Sequence, residues 1–375
     1  MAHQSGAGRE GESHGTAGAV RVAILLSDGL KAQGGIGRIM TYLTRALAAG
    51  HPEIKITTLR TRFAESGPMK HLTVPAALAS FAVTLVRQHI QLVHINVAPR
   101  GSTWRKLLFE QLARRLGVPT VLHLHGSGYH EFYAGLSSRR QAAVRALFGR
   151  VRNVVVLGEF WQRFVIDVLG VAASRVVVIP NGVPAADPPV VRLPAPVPAF
   201  LFLGIVGHRK GIDVFLGALA ELRARGIGWS AVVAGNGEVA EARATSVALG
   251  LDDAVDFLGW VDEGRADTLL RAADIFVLPS RAENQPVSIL EAMARATPVI
   301  STCVGAIAEQ VVDGTTALLV DPGDVAALAN AMAALAEDPA RAVAMGVAGR
   351  ARFEQHFSVE ACAARFATLY HAAVA

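Results

Sequence analysis

The sequence is poor in cysteine and contains no long apolar run. Its 375 residues include two cysteines, Cys303 and Cys362. They are too few and too far apart for a disulfide framework or a cysteine-based zinc site. No stretch of about 18 apolar residues is free of charge, so no segment is expected to cross a membrane as a helix. Any membrane contact is therefore expected to be peripheral.

Motifs for metal and nucleic-acid binding are also missing. No Asp-x-Asp pair occurs anywhere, and His123, His125 and His130 lack the carboxylate support of a metal triad. We therefore expect no obligatory metal ion and no other cofactor. The basic segments have no accompanying aromatic platform or known nucleic-acid motif, so nucleic acid is not an expected partner.

Residues 1–18 are rich in Gly, Ser, His and Glu and contain no apolar run. This composition is typical of a disordered tail rather than of a secretory signal. The protein is accordingly expected to act in the cytoplasm.

Charge is distributed unevenly along the chain. Residues 1–195 contain 23 Lys and Arg against 10 Asp and Glu, whereas residues 196–375 contain 13 against 21. Such asymmetry indicates that the two halves face different partners and that the basic half meets an anionic one. An acidic membrane surface and a diphosphate-bearing acceptor both satisfy this requirement.

The basic residues concentrate in segments 104–117 and 139–152, which have the spacing of amphipathic helices. Arg105, Arg140 and Arg145 are the candidates for contact with an acceptor or with anionic headgroups. The alternative is that these segments are ordinary helices with a solvated basic face.

From Val20 onward, short apolar runs alternate with longer amphipathic stretches. This alternation predicts parallel strands separated by helices, and hence the α/β fold class. The runs that we interpret as strands are 20–26, 54–59, 92–95, 120–124, 153–156, 176–179, 200–203, 230–234, 255–258, 275–278, 299–301 and 317–320.

A proline-rich segment, residues 184–198, divides these runs into two sets of six. It holds six of the 17 prolines and can form neither a helix nor a central strand. We predict a Rossmann-like domain over 19–183, a linker over 184–198, a second Rossmann-like domain over 199–357, and a helix over 358–375 that returns to the first domain. Two doubly wound domains would face each other across a ligand-binding cleft.

The strongest local signal is a strand, loop and helix in the second predicted domain. Glu283 falls in the loop and Glu291 on the helix, eight positions apart, and each carboxylate can accept hydrogen bonds from hydroxyls. Pro286 suits the first turn of a helix. The free backbone amides around Val287 and Ser288 favour a phosphate group.

This arrangement resembles the retaining glycosyltransferases of family four, which have the GT-B fold and a Glu-x7-Glu signature. The resemblance extends over nearly the whole chain after residue 18. Other matching segments, whose order and spacing agree with the family, are 178–183, 202–204 with 209–211, 234–237, 257–260, 302–305 with Glu309, and 314–324.

The resemblance implies a transfer from a nucleoside-diphosphate sugar to an acceptor hydroxyl with retention of configuration. It implies that Glu283 contacts the donor sugar, that Glu291 contacts the ribose, and that Lys210 reaches the diphosphate. His125 is implied to lie beside the reacting sugar, where it positions the substrate and stabilises charge. His123 is expected to be structural.

The sequence departs from the family at one position of the phosphate site. The family usually has an arginine directly after the glycine of the first strand in the second domain, whereas Ile205 stands here. Arg209 is expected to substitute for it. In the first domain, Gly35 lies in a glycine-rich loop whose amides can approach a phosphate, with a simple tight connection as the alternative.

The basic first half favours a lipid-linked glycan or a glycolipid as acceptor, at the inner face of the cell membrane. Three other functions remain open. A dinucleotide-dependent oxidoreductase would need a third glycine that the segment 35–40 lacks. A nucleotide-sugar epimerase of the same fold and a non-catalytic sugar-binding protein are the other two.

Overall fold

The computed structural model describes residues 19–27, 29, 34–61 and 73–375 and arranges them around two parallel sheets. The predicted tail, residues 1–18, lies outside the described residues. The strands of the first sheet are β1 (Val20–Leu26), β2 (Ile54–Arg60), β3 (Leu92–Val97), β4 (Thr120–Leu124), β5 (Asn153–Val156) and β6 (Val176–Val178). Those of the second sheet are β7 (Ala199–Leu203), β8 (Ser230–Ala234), β9 (Val255–Gly259), β10 (Ile275–Leu278), β11 (Val299–Thr302) and β12 (Ala317–Val320).

Helices cover both sheets. In the first half they are α1 (Gly35–Gly50), α2 (Val74–Arg87), α3 (Gly101–Arg115), α4 (Tyr129–Ala134), α5 (Ser138–Arg150) and α6 (Glu159–Arg163). In the second half they are α7 (Ile212–Ala224), α8 (Val239–Ala248), α9 (Glu263–Ala272), α10 (Val287–Met293), α11 (Ile307–Gln310), α12 (Val325–Glu337), α13 (Pro339–His356) and α14 (Val359–Val374). Among the described residues, no helix combines the length and the apolar character that crossing a bilayer requires.

The strand orders are β2-β1-β3-β4-β5-β6 and β12-β11-β10-β7-β8-β9, and all neighbouring strands are parallel. The predicted α/β fold with two doubly wound sheets is thereby confirmed. Ligands of such sheets bind beyond the carboxyl ends of the strands, where the strand order reverses. These reversals fall between β1 and β3 and between β7 and β10, which marks where a site is expected.

Continuous apolar strands form the core of the first half. All residues of β3 and β4 are buried. Because helices cover both faces of a parallel sheet, its central strands have no solvent side and are apolar along their whole length. His94, Asn96 and His123 interrupt this pattern as buried polar side chains. Their positions require hydrogen-bond partners inside the protein.

The proline-rich segment is fastened to the second half by Arg192. The guanidinium of Arg192 donates hydrogen bonds to the carbonyls of Leu270, Arg271, Ala273 and Arg295 and to Thr297 Oγ1. Burial lowers the pKa of Arg192 to about 10, so the side chain stays charged at neutral pH. A charged donor saturated by carbonyls fixes this segment in place.

The chain crosses between the two halves a second time just before α14. Val183 and Ser358 form a parallel bridge, in which Val183 N–H donates to Phe357 O at 3.1 Å and Val359 N–H donates to Val183 O at 3.0 Å. A Cβ on Gly182 would lie 2.8 Å from Ser358 O, so the crossing needs a glycine. Beyond it, α14 packs on α1, β1 and β3 of the first half.

Candidate active site

A cavity of about 750 Å³ lies between the two halves at the carboxyl ends of both sheets. The first half contributes Gly35 at the start of α1 and His125 after β4. The second half contributes Lys210 after β7 and Glu283 after β10. A cavity of this size accommodates a small ligand or a cofactor. With Arg209, Val287 and Ser288, which also line it, the cavity gathers seven of the residues that the sequence predicts for the site.

Glu283 and Lys210 form an ion pair in the wall of this cavity. Lys210 Nζ contacts Glu283 Oε1, and Ser280 Oγ donates to the same oxygen at 3.0 Å. The two side chains are only 12% and 8% exposed for Lys210 and Glu283, respectively. Arg209 adds a second cation, since its Nη1 lies 3.6 Å from Glu283 Oε1 and donates to Ala282 O at 2.9 Å. Two cations beside one carboxylate leave the local charge positive.

Close backbone contacts fix the loop that carries Glu283. Gly305 has a φ of +60°, and a Cβ at this position would lie 2.1 Å from Glu283 O. Ala306 N–H donates to Asn284 O at 2.8 Å. The loop after β11 is therefore the support against which the Glu283 loop packs, and only glycine permits this approach.

Ile205 occupies the position where the resembling family usually has an arginine. Its side chain is 49% exposed and lines the cavity. The neighbouring loops are very close, because a Cβ on Gly235 would lie 1.6 Å from Gly204 O. Arg209 lines the same cavity from the next turn of the chain. Arg209 thus supplies a positive charge to the cavity wall, where Ile205 supplies none. Its contact with the donor diphosphate in place of the usual arginine stays a prediction.

Two helix N-termini border the cavity. Helix α1 begins at Gly35 and α10 begins at Val287, and neither has a side-chain cap. A Cβ on Gly35 would lie 3.7 Å from Val287 Cγ2, so the two helix ends are neighbours. Ser288 lines the cavity beside them. Free amides at helix N-termini attract anions.

His125 lines the cavity and is 9% exposed. Its Nε2 lies 2.7 Å from Asn96 Oδ1. Burial, together with the nearby His94 ring, lowers the pKa of His125 to about 3. The ring is therefore neutral at physiological pH. Substrate positioning and charge stabilisation by His125 both stay predictions.

His123 lies in the protein interior. Its Nδ1 is 3.1 Å from His94 Nε2, and His94 Nδ1 is 2.6 Å from the Tyr370 hydroxyl on α14. His130 lies instead on α4, with its ring edge-on to Trp161. Nowhere in the described parts of the chain do three His, Cys, Asp or Glu side chains converge on a position for a metal ion.

Glu291, the expected ribose ligand, does not line the cavity. It is 4% exposed, and two residues of α1 cover it. Arg38 Nη1 lies 3.1 and 3.2 Å from its two oxygens, and the Tyr42 hydroxyl donates to Oε1 at 2.9 Å. Burial raises the pKa of Glu291 while the Arg38 guanidinium opposes this rise. The sequence indicates only part of this contact: Arg38 and Tyr42 are four positions apart and therefore lie on the same face of a helix.

The three arginines predicted to meet an acceptor or a membrane do not line the cavity. Arg140 is exposed on α5. Arg145, on the same helix, donates to the Tyr133 hydroxyl at 2.6 Å. Arg105 is half-buried on α3, close to Gly101. Their contact with an acceptor or an anionic surface stays a prediction.

Asn284 and Gln285 connect the Glu283 loop to the first half. Gln285 Oε1 accepts from Asn181 N–H at 2.6 Å, and its Nε2 donates to Leu157 O at 3.3 Å. Asn284 Nδ2 lies 3.4 Å from Leu124 O. Our sequence analysis assigned no role to this pair, although two consecutive amides between Glu283 and the helix are an unusual choice for a buried loop.

Both halves of the chain match known families. Residues 16–187 match the model described as Glycosyltransferase Family 4, and residues 197–338 match the model described as Glycosyl transferases group 1. The chain is 31% identical over 273 residues to a glycogen synthase of Mycobacterium tuberculosis, covering 70% of this chain and 65% of that one. It is 37% identical over 174 residues to the lipopolysaccharide core biosynthesis mannosyltransferase LpcC of Rhizobium leguminosarum, covering 45% and 49%. The alignments thus span less than two thirds of either relative.

Among solved structures, the chain is similar to Anabaena HepE in complex with UDP-glucose, with a TM-score of 0.74, 20% identity, and coverage of 94% of this chain and 99% of that one. This likeness places the chain in the GT-B class, as the sequence resemblance implied. The two family models, one on each half, then give the narrower assignment: the chain belongs to the family-four-like glycosyltransferases.

Proposed function

We propose that this chain transfers a sugar from a nucleoside-diphosphate sugar to an acceptor hydroxyl. The observation that carries the proposal is the pairing of Lys210 with Glu283 inside the cavity between the sheets. A carboxylate accepts hydrogen bonds from sugar hydroxyls, and a lysine ammonium is a strong partner for a phosphate. The complex of HepE with UDP-glucose, a protein of the same fold, supports a donor of this class.

The donor diphosphate is held by cations and helix ends. Lys210 and Arg209 supply the charge, and the N-termini of α1 and α10 supply backbone amides beside them. Negative charge grows on the diphosphate as the bond to the sugar breaks, so these fixed groups bind the transition state more tightly than the donor. One such contact is worth roughly 10²- to 10³-fold in rate. Because these groups already neutralise the leaving group, the transfer needs no obligatory metal ion.

The reaction proceeds with retention on one face of the donor sugar. The bond from the anomeric carbon to the phosphate oxygen breaks while the acceptor oxygen bonds to the same carbon. The departing phosphate oxygen takes the acceptor's proton. This route needs no protein nucleophile, which agrees with Glu283 being engaged by both Lys210 and Ser280.

Donor binding is coupled to the contact between α1 and Glu291. In our proposal Glu291 accepts a hydrogen bond from the donor ribose, yet Arg38 and Tyr42 now cover it. The two halves therefore separate to admit the donor and close again around it. Closure excludes water from the reacting carbon.

The acceptor binds to the first half and is a lipid-linked glycan or a glycolipid. The excess of Lys and Arg in residues 1–195 favours an anionic partner, and the relative LpcC is named for lipopolysaccharide core biosynthesis. We place the protein peripherally at the inner face of the cell membrane, with Arg140 among the groups that meet anionic headgroups.

Thermal unfolding with UDP-, GDP- and ADP-sugars tests the donor class. The matching donor, at about 100 times its dissociation constant, should stabilise the protein by about 2.7 kcal/mol. Lys210→Met should lose most of this gain. Arg223→Met, which breaks an exposed pair with Asp253 outside the cavity, should keep it. Equal stabilisation of both variants would contradict the assigned donor site.

Transfer from a radiolabelled donor into membrane extract tests the acceptor. We expect label in the lipid fraction. Label only in water-soluble acceptors would remove the lipid-linked proposal, and release of an isomerised nucleotide sugar without any acceptor would favour the epimerase instead.

A further inference from the structure

A hydrogen bond between two neighbouring strands fixes the ring of His125. Asn96 is buried near the end of β3, 4% exposed, and its Oδ1 lies 2.7 Å from His125 Nε2 just beyond β4. His125 N–H also donates to Val97 O at 3.0 Å. Backbone and side chain of His125 are therefore both tied to β3.

The orientation of the Asn96 amide follows from its second partner. Asn96 Nδ2 donates to Leu25 O at 3.1 Å, and a carbonyl can only accept. The amide nitrogen thus faces β1, and the amide oxygen faces His125. Since this oxygen has no proton to give, His125 Nε2 must carry the hydrogen of the shared bond. A neutral ring with its proton on Nε2 has a lone pair on Nδ1.

The surroundings of His125 favour the neutral ring. On β4, the His123 ring lies 3.8 Å from the His125 ring between centroids. On β3, His94 is joined to His123, and from α14 the hydroxyl of Tyr370 reaches His94. Glu283 and Lys210 line the same cavity from the second half and are paired with each other. A positive charge on the His125 ring, beside the buried rings of His94 and His123, would be poorly solvated.

Nδ1 of His125 is free to meet a ligand. It has no hydrogen-bond partner among the described residues, and His125 lines the cavity. His123 differs, because its unpaired Nε2 is fully enclosed. Of the two rings, only that of His125 can offer its lone pair to a molecule in the cavity.

We propose that Asn96 is a positioning residue that holds His125 in the Nε2-protonated form, so that His125 Nδ1 accepts a hydrogen bond from a hydroxyl of the donor sugar. This assignment rests on the proposed function for the identity of the ligand. It makes His125 a neutral acceptor rather than a proton donor. The tautomer itself is a property of the free protein.

Nitrogen-15 NMR of histidine-labelled protein tests the tautomer without any substrate. The His125 signals are identified by their loss in His125→Gln. We expect the wild type at neutral pH to show a protonated Nε2 and an unprotonated Nδ1. A proton on Nδ1, or on both nitrogens, would overturn the proposal. Absence of transfer with every nucleotide sugar would instead overturn the proposed function and leave this result standing.

Two variants test the positioning. Asn96→Ala removes the acceptor, so kcat/KM should fall roughly tenfold, as for one lost hydrogen bond. Asn96→Asp keeps an oxygen toward Nε2 but adds a charge that favours the imidazolium. Its kcat/KM should be close to the wild-type value at high pH and should decrease as the pH is lowered. The wild type should not show this decrease. Unchanged kcat/KM and an unchanged tautomer in folded Asn96→Ala would contradict the positioning role.

Discussion

Glu283 is held by a lysine, a serine and a nearby arginine, and these partners decide what the carboxylate can do. With Lys210 and Ser280 on the same oxygen, Glu283 is fixed in direction and suited to orienting a hydroxyl. Arg209 is different, since its side chain is 45% exposed and lies further from the carboxylate. At the scale of single residues, Lys210 is therefore the main anchor and Arg209 an auxiliary cation.

Arg209→Met should lower kcat/KM about tenfold, because one charged contact to the diphosphate is lost. Stability should change by less than about 1 kcal/mol, since exposed ion pairs contribute little. Steady-state kinetics and urea unfolding measure the two effects. Arg223→Met is the matched control and should leave both nearly unchanged. Equal kinetics in the two variants would show that Arg209 does not contact the donor.

At the scale of elements, the loop after β11 supports the Glu283 loop through one glycine. Gly305→Ala puts a methyl group 2.1 Å from Glu283 O, whereas Gly314→Ala meets open space at a similar φ of +72°. The control should cost about 1–2 kcal/mol for its left-handed backbone. Gly305→Ala should cost more and should also reduce transfer strongly. If Gly305→Ala and Gly314→Ala had equal free energies of unfolding in urea, the Glu283 loop would be able to move away from the new methyl group at no energetic cost.

The histidines of β3 and β4 should make stability depend on pH. Burial lowers the pKa of His94 to about 3 and that of His123 well below its usual value. In the unfolded chain these histidines have pKa values of about 6.5. The unfolded state therefore binds protons that the native state does not, and the free energy of unfolding falls as the pH drops below about 6.5.

Each such histidine contributes at most about 1.4 kcal/mol per pH unit to this slope. Urea unfolding between pH 7 and 5 measures it. His94→Phe, whose ring can stack on Phe366 as that of His94 does, should show a smaller slope than the wild type. An identical slope in the variant would mean that His94 is not neutral in the native protein.

At the scale of the whole molecule, polar contacts hold the two halves together on both sides of the cavity. Arg38 pairs with Glu291 on one side. On the other, the Glu309 carboxylate accepts the N–H groups of Glu159 and Phe160 at 2.7 and 3.2 Å, at the start of α6. Both contacts must lengthen if the cleft opens, so they set the balance between closed and open forms.

Arg38→Met should favour the open form, because it leaves the buried Glu291 without its cation. Arg45→Met is the matched control, since Arg45 also joins α1 to the second half but its pair with Glu263 is exposed. Small-angle X-ray scattering of the ligand-free protein should show a larger radius of gyration for Arg38→Met only. If both variants had the same radius of gyration, contacts other than the Arg38–Glu291 pair would keep the cleft closed.

The fold was predictable because most strands contain a short apolar run that the sequence displays locally. All twelve predicted strands exist, with ends within two residues of those observed. Glu283 was singled out by the order of strand, loop and helix around it, whereas the role of Lys210 was implied by the family resemblance. The contact of Arg38 with Glu291 joins residues 253 positions apart and depends on how the halves pack. Asn96 was missed for the same reason, since pairing between strands decides its partner.

The central claim is that Lys210 and Glu283 act on the donor rather than only on each other. Lys210→Met should destabilise the protein because Glu283 keeps a buried charge without its main partner. The double variant Lys210→Met/Glu283→Gln removes both charges, and Ser280 can still donate to the amide oxygen. It should regain most of the lost stability.

The most direct measurement is the transfer rate of this double variant beside its free energy of unfolding. The account predicts near wild-type stability with transfer slower by at least about 10²-fold, because the fixed contacts to the donor are gone. A stable double variant that transfers sugar at the wild-type rate would contradict it.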